Sequence, residues 1–324
     1  MGGSDIAQIE TQRATARLEW VDTAKGIGII LVVIAHIWTR GPVRDLIYAF
    51  HMPLFFLLSG YMSKPRPMGD FTRKQVVAMA IPYLAFLLLL ALWDVGFETW
   101  RGHQPIFHGW RDAAWRLALG GSELRGPFTI FWFVPALFFG RLIQNALGQW
   151  LPDARDSRWL PVIVLALVGG VWWGSVSDFS PLGLLSVPVV LVLLWAGSLW
   201  RTVVDDRRLV LGGLVLGAIL VAALPHPPLN MKVGDYGTVW LSLPLSVLLS
   251  LGLVWIARRL PVPPLGYLGR MSLVIMYLHV AVVHYLAPYL PKPALLGLAL
   301  AIPLLFGALM QRFVWTRRLF LGQG

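Results

Sequence analysis

Residues 76–96 read VVAMAIPYLAFLLLLALWDVG, a run in which almost every side chain is apolar. The hydrocarbon core of a bilayer is about 30 Å thick, so about 20 apolar residues can cross it as an α-helix. The run therefore predicts one transmembrane helix. Similar runs predict nine more, at 20–38, 46–63, 128–148, 158–174, 182–200, 208–224, 238–257, 271–290 and 294–313.

The composition supports the same fold class. Hydrophobic residues make up 57% of the 324 residues and charged residues only 13%, and the mean hydropathy is +0.69. An average soluble domain is about 25% charged, so a soluble fold could not cover this much apolar surface. The runs also lack the alternating pattern of a membrane β-barrel. The sequence predicts an all-α, polytopic membrane bundle of about ten transmembrane helices.

The distribution of basic residues predicts the orientation of this bundle. A cytoplasmic N-terminus places 19 of the 27 Lys and Arg residues on the cytoplasmic side and eight outside. Cytoplasmic loops of membrane proteins are enriched in Lys and Arg, so both termini are predicted to be cytoplasmic. The eight outer cations are Arg40, Arg44, Arg101, Arg111, Arg116, Arg125, Lys232 and Lys292.

A single membrane domain is predicted at 20–316, between cytoplasmic tails at 1–19 and 317–324. Residues 1–17 are polar and contain no apolar core of a cleavable signal peptide. The longest loop, 97–127, contains aromatic and basic residues at near-helical spacing, which predicts a segment lying in the membrane interface.

Several classes of function are disfavoured by the sequence. The net charge of +11 arises from basic residues at helix ends, which topology and anionic lipids explain better than nucleic-acid binding. The absence of Cys excludes disulfides, thiolate metal ligands and a Cys nucleophile. Metal-ligand spacings, phosphate loops, nucleophile elbows and dinucleotide fingerprints are not found.

Ionisable residues are concentrated in the first predicted helix, as Asp22, Lys25 and His36. Charged and titratable side chains are costly within a bilayer, so they are candidates for function. Asp22 and Lys25 are three residues apart and can neutralise each other. Lys25 and His36 are eleven apart, which puts them on nearly the same helix face, separated by roughly 16 Å. His36 is a candidate general acid or base, whereas interfacial anchoring is an equal alternative for the other two.

Two more histidines lie in apolar segments. His51 opens the second helix, at a predicted depth close to that of His36, and His279 lies about halfway through the ninth. His284 is five residues beyond His279 and falls on another helix face. A packing role is the alternative for both His51 and His279.

These stretches resemble the acyltransferase 3 family of membrane acyltransferases, and look closest to its fucose 4-O-acetylase-like subgroup. The first matching stretch contains the family's basic-x10-His pattern as Lys25 and His36. The family often has an Arg-x-x-Arg pair before the third helix, and this chain has Arg73-Lys74 there. The matching stretches, in the family's order, are 20–36, 50–61, 73–83, 131–137 and 268–279.

The resemblance implies transfer of an acetyl group from acetyl-CoA to a carbohydrate hydroxyl at the bacterial inner membrane. Acetyl-CoA would be a substrate, and no permanently bound cofactor is expected. The implied partners are the acyl-CoA, a polysaccharide precursor or glycolipid, membrane lipid and envelope-polysaccharide assembly proteins. A glycan transporter or flippase and a scaffold subunit are the alternatives, and the aligned Lys25 and His36 favour chemistry over passage.

The resemblance also implies roles for individual residues. His36 would be the general base, and Asp22 and Lys25 would hold the helix register or meet the phosphates of the donor. The implied substrate-binding and acyl-CoA-binding residues are Arg73, Lys74, His51, Ser59, Trp132 and His279.

Overall fold

The computed structural model describes residues 3–203, 212–213, 215–216, 229–259 and 262–323, with side chains from Glu19 onward. Within these ranges the regular elements are helices, apart from one isolated β-bridge between Asn230 and Asp235. The all-α fold class predicted from the sequence is therefore confirmed. The predicted helix at 208–224 lies outside the described residues except for four positions.

We number the α-helices of the described ranges in chain order. They are α1 (Gly3–Ile37), α2 (Pro42–Tyr48), α3 (His51–Met62), α4 (Met68–Gln75), α5 (Ile81–Trp100), α6 (Trp110–Leu119), α7 (Phe133–Trp150), α8 (Trp159–Val176), α9 (Val187–Val203), α10 (Val239–Ala257), α11 (Pro263–Arg270), α12 (Ser272–Leu286), α13 (Lys292–Met310) and α14 (Val314–Leu321). A π-helical turn, Val76–Ala80, joins α4 to α5, and a 3₁₀-helix, Gly126–Trp132, leads into α7.

Eight helical segments of the described ranges are long and apolar enough to cross a membrane. The bent pair α11 and α12, which meet at 77°, makes a ninth if it counts as one span. These nine correspond to nine of the ten predicted spans. The orientation of the bundle stays a prediction.

The structure differs from the predicted spans where helices break or bend. The second predicted helix is divided into α2 and α3 at residues 49–50, and the third begins earlier, at Met68. Pro82 has no N–H to offer a carbonyl one turn earlier, and the wider π turn lies directly before it.

Both predicted tails contain helix. Residues 3–18 continue α1 toward the N-terminus, and residues 317–321 belong to α14. The Phe320 ring lies 5.2 Å from that of Phe86 and 5.3 Å from that of Phe306, so α14 contacts the bundle.

Helices α1, α3, α7, α9 and α12 form the centre of the bundle, whereas α8 and α13 lie at its periphery. Large side chains such as Phe56, Phe131 and Tyr277 are completely buried in this centre. Helices α8 and α13 expose most of their apolar surface. The candidate histidines therefore lie on central helices and within reach of one another.

The long loop after α5 is tethered to the bundle. The buried Asp94 carboxylate accepts hydrogen bonds from the Tyr285 hydroxyl, at 2.7 Å, and from the Ile106 backbone N–H, at 2.8 Å. Farther along the loop, α6 confirms the predicted helical segment, and it exposes Trp110 and Trp115. Exposed Trp residues on a basic helix are typical of a helix that lies in the membrane interface.

Candidate active site

The two ends of α1 define two faces of the bundle. The N-terminal face is the end of the bundle at Trp20, where the apolar part of α1 begins, and the far face is the end at Ile37. His36 lies in the last turn of α1 and therefore close to the far face.

Three histidines predicted from the sequence come together near this far face. The ring centroids of His36 and His279 are 5.0 Å apart, with the rings nearly perpendicular. Tyr48 lies on the other side, 6.2 Å from the His36 ring and 4.8 Å from the His51 ring. Helices α1, α2, α3 and α12 thus each supply one ring to a continuous aromatic cluster.

The three imidazoles share one hydrogen-bonding pattern. In each, the Nδ1 atom lies 2.8 to 2.9 Å from the carbonyl oxygen four residues earlier in the chain. A carbonyl oxygen only accepts hydrogen bonds, so Nδ1 carries the proton, and Nε2 of a neutral ring keeps its lone pair. The Nε2 atom of His279 is buried and has no hydrogen-bond partner among the described residues.

His36 and His51 line a cavity of about 270 Å³ together with Trp132. This volume is close to the lower end of the range for small-molecule pockets, about 300 Å³. His279 is completely buried and contacts His36 from behind the cavity wall. The other lining residues are Arg44, Tyr48, Met52, Thr129, Ile130, Leu229, Asn230, Met231 and Lys232.

Two of the lining residues, Arg44 and Lys232, are cations that were predicted from the sequence only as outer basic residues. The Arg44 guanidinium lies 3.8 Å over the Tyr48 ring. The Lys232 ammonium donates hydrogen bonds to the Leu124 carbonyl and the Thr129 hydroxyl, both at 2.8 Å. Burial and, to a smaller extent, the nearby charge of Arg125 together lower the pKa of Lys232 to about 8.

The polar residues at the N-terminal face form a separate group. The Lys25 ammonium lies 3.7 Å from the Asp22 carboxylate, which confirms the predicted pairing, and Arg270 approaches the same carboxylate at 3.9 Å. The close approach of α11 to α1 depends on Gly269, where a methyl group would overlap the Asp22 backbone carbonyl. Partly exposed pairs of this kind add little stability, so their charges remain available to a ligand.

The structure does not bring Lys25 into the cavity of His36. The two residues are aligned along α1, but Ile29 and Val32 between them are completely buried in the hydrophobic core. The helix face that Lys25 and His36 share is therefore covered by apolar packing between these two residues.

The remaining candidates lie away from the cavity. Arg73 and Lys74 are exposed in the last turn of α4, and the Ser59 hydroxyl is buried in α3 without a hydrogen-bond partner among the described residues. Arg141 of α7 was not predicted as a site residue. Its guanidinium lies 5.7 Å from the ring centroid of Phe71 in α4, and its charge is close enough to act on Lys25.

The described part of the chain contains no group of three or more His, Cys, Asp or Glu side chains that could hold a metal ion. The side chains that meet at this site can transfer protons and form hydrogen bonds.

A family model for an acyltransferase domain matches residues 18–321, nearly the whole chain. No match was found among curated proteins or among solved structures. The matched range includes every helix that contributes a histidine to the cluster at the far face, and its apolar helices are those of a multi-pass membrane protein. The chain therefore belongs to the acyltransferase 3 family of membrane acyltransferases.

Proposed function

We propose that this protein transfers an acetyl group from acetyl-CoA to a hydroxyl of a carbohydrate, with His36 as the general base. The observation that carries the proposal is the orientation of His36. Its Nδ1–H is held by the Val32 carbonyl, and the ring borders a polar cavity large enough for a sugar unit. An imidazole fixed in this way offers Nε2 to accept a proton.

The proposed reaction is a single acyl transfer. The acceptor hydroxyl attacks the thioester carbonyl carbon while its proton moves to Nε2 of His36. The carbon–sulfur bond then breaks, and the leaving thiolate takes the proton from the imidazolium. The products are an acetyl ester and free coenzyme A, and the imidazole is again neutral.

The basic residues of the N-terminal face would hold the coenzyme. The charge of Arg141 acts on Lys25, and Arg73 and Lys74 are exposed on α4. Their charges suit the phosphates of an acyl-CoA that approaches from the cytoplasm. Ile29 and Val32 lie between Lys25 and His36 on α1, and neighbouring helices bury both of them. The proposal therefore requires the bundle to open along α1 when the pantetheine arm enters.

The nature of the acceptor is proposed from the resemblance to the fucose 4-O-acetylase-like subgroup. A polysaccharide precursor or a glycolipid at the bacterial inner membrane would present its sugar at the far face. Both termini would then be cytoplasmic, and proteins of envelope-polysaccharide assembly would supply and remove the glycan.

The direct test uses inverted membrane vesicles supplied with acetyl-labelled acetyl-CoA. We expect label to appear in the glycan fraction, and we expect glycans from a strain lacking this protein to lose one acetyl mass increment by mass spectrometry. A glycan transporter would move its substrate without releasing coenzyme A. Unchanged glycan acetylation in the deletion strain would refute the proposal.

His279 would act as a positioning residue for His36. The two ring centroids are 5.0 Å apart, and Nε2 of His279 has no hydrogen-bond partner among the described residues. Its lone pair can stabilise the positive charge that His36 acquires. We expect His279→Phe, which keeps a buried ring but not the lone pair, to lower kcat about tenfold with little change in KM, which corresponds to about 1.4 kcal/mol of transition-state stabilisation.

Two further variants separate this role from packing. His279→Asn keeps an acceptor oxygen and should retain more activity than His279→Phe. His284→Phe, on the exposed side of the same helix, should behave like the wild type. Equal kcat for the Phe and Asn variants at position 279 would assign His279 a packing role alone.

A further inference from the structure

The cavity beside His36 is positively charged. Arg44 and Lys232 line it, and Arg125 is close enough for its charge to act on Lys232. The lining residues include no Asp or Glu. The Asp45 carboxylate accepts a hydrogen bond from Nη1 of Arg44 at 3.0 Å, but its side chain is 43% exposed and lies outside the lining.

Neither cation has its bonding capacity filled. The Nε atom of Arg44 is buried and unpartnered among the described residues. Lys232 is held by a carbonyl and a hydroxyl, both neutral, and forms no ion pair within the described ranges. Lys232 is therefore a partly buried charge without a counter-ion in the described structure, and Arg44 has only the partly exposed Asp45. Such charges are unfavourable, so an arriving anion would be bound strongly here.

The positive-inside rule does not account for the position of these cations. Arg44, Arg125 and Lys232 belong to the minority of basic residues that the positive-inside distribution places on the outer side. The proposed function puts the coenzyme at the opposite face, so its phosphates are not the expected ligand of this cavity.

We propose that the acyl acceptor carries a negatively charged group, a carboxylate or a phosphate, which binds between Arg44 and Lys232 while the reacting hydroxyl faces His36. This inference rests on the proposed function, because it takes the cavity as the acceptor site. The substrate class is then an acidic sugar or a sugar phosphate, such as the phosphate-linked end of a glycolipid. A neutral sugar would supply no counter-ion to Lys232.

Binding to the purified protein in detergent, measured by calorimetry, tests the inference. The probes are methyl β-D-glucuronide, glucose 1-phosphate, methyl β-D-glucoside and adenosine 3′,5′-bisphosphate. We expect one or both anionic sugars to bind at least about tenfold more tightly than the glucoside, as expected for a charge-assisted contact. The stronger of the two identifies the anion as carboxylate or phosphate.

Arg44→Gln should remove about tenfold or more of this preference, and Arg44→Lys should restore part of it. Arg40→Gln is the matched control, because Arg40 is exposed and does not line the cavity. Lys232→Met provides the second test, provided that its melting temperature shows a folded protein. Arg44→Gln is the decisive variant, since Arg44 has no hydrogen bond to the buried backbone in the described structure.

Three results would overturn the inference. The first is equal binding of glucoside and glucuronide, and the second is no detectable binding of either anionic sugar at millimolar concentration. The third is that only the binding of the bisphosphate depends on Arg44, which would identify a coenzyme site. A parallel acetyl-transfer assay separates the two proposals. Anion binding that depends on Arg44 without any transfer would refute the proposed function only, whereas transfer at equal rates to neutral and anionic acceptors would refute the anion site only.

Discussion

His36→Ala is expected to lower acetyl transfer by about 10² to 10⁴-fold, the usual contribution of general acid–base catalysis. A sugar hydroxyl is a poor nucleophile near neutral pH, so transfer depends on a group that removes its proton during attack. The structure gives His36 a fixed ring orientation, a buried histidine behind it and a cavity in front of it. Removing the imidazole leaves the other parts of the site in place.

The measurement compares initial rates of labelled acetyl transfer in membranes that contain equal amounts of folded protein. His108→Ala is the control, because His108 is exposed in the loop after α5. Added imidazole should partly restore the rate of His36→Ala, since the missing ring borders an existing cavity. Near-normal turnover by His36→Ala, with coenzyme binding intact, would remove His36 from the chemistry.

Most of the fold could be predicted because the bilayer sets the length of each element. A run such as 76–96 identifies its helix without knowledge of its neighbours. The bend between α11 and α12 could not be predicted in this way. It occurs at Met271, with no proline at the bend, and it accompanies the packing of Gly269 against the backbone of α1. That packing is a tertiary contact and leaves no local pattern.

The residues of the candidate site could also be predicted only in part, where a local pattern identifies them. His36, His51 and His279 were identified because titratable residues are unusual in apolar helices, and they do come together. Arg44 and Lys232 lie between the predicted spans, where a cation is ordinary, so only the folded chain shows that they line one cavity. The prediction that Lys25 and His36 share one helix face was correct for an isolated helix. Helix geometry could not predict that neighbouring helices bury the residues between them.

Gly60→Ala is expected to cause the largest loss of stability among the substitutions considered, at least about 1–3 kcal/mol from overpacking. Gly60 of α3 lies against the Leu194 carbonyl of α9, and Gly197 of α9 lies against the Leu57 carbonyl of α3. A methyl group at either glycine would overlap backbone atoms, which cannot move aside as a flexible side chain can.

The contact matters because helices in lipid associate through close packing and hydrogen bonds rather than by hydrophobic burial. The Ser198 hydroxyl donates to the Gly60 carbonyl at 2.9 Å, and the Gln144 amide donates to the Leu194 carbonyl at 3.0 Å. Separating α3 from α9 would break this network along the whole crossing. It would also shift His51, which begins α3, relative to His36.

Thermal unfolding in detergent, followed by size-exclusion chromatography, measures the effect as a lower melting temperature and a smaller monodisperse fraction. Gly96→Ala in α5 is the matched control, because a methyl group there meets open space. Alanine favours helix over glycine by about 1 kcal/mol, so this control should be neutral or slightly stabilising. If Gly60→Ala melted at the temperature of the wild type, the α3–α9 backbones would have to lie farther apart than the structure places them, and the position of His51 would have to be revised with them.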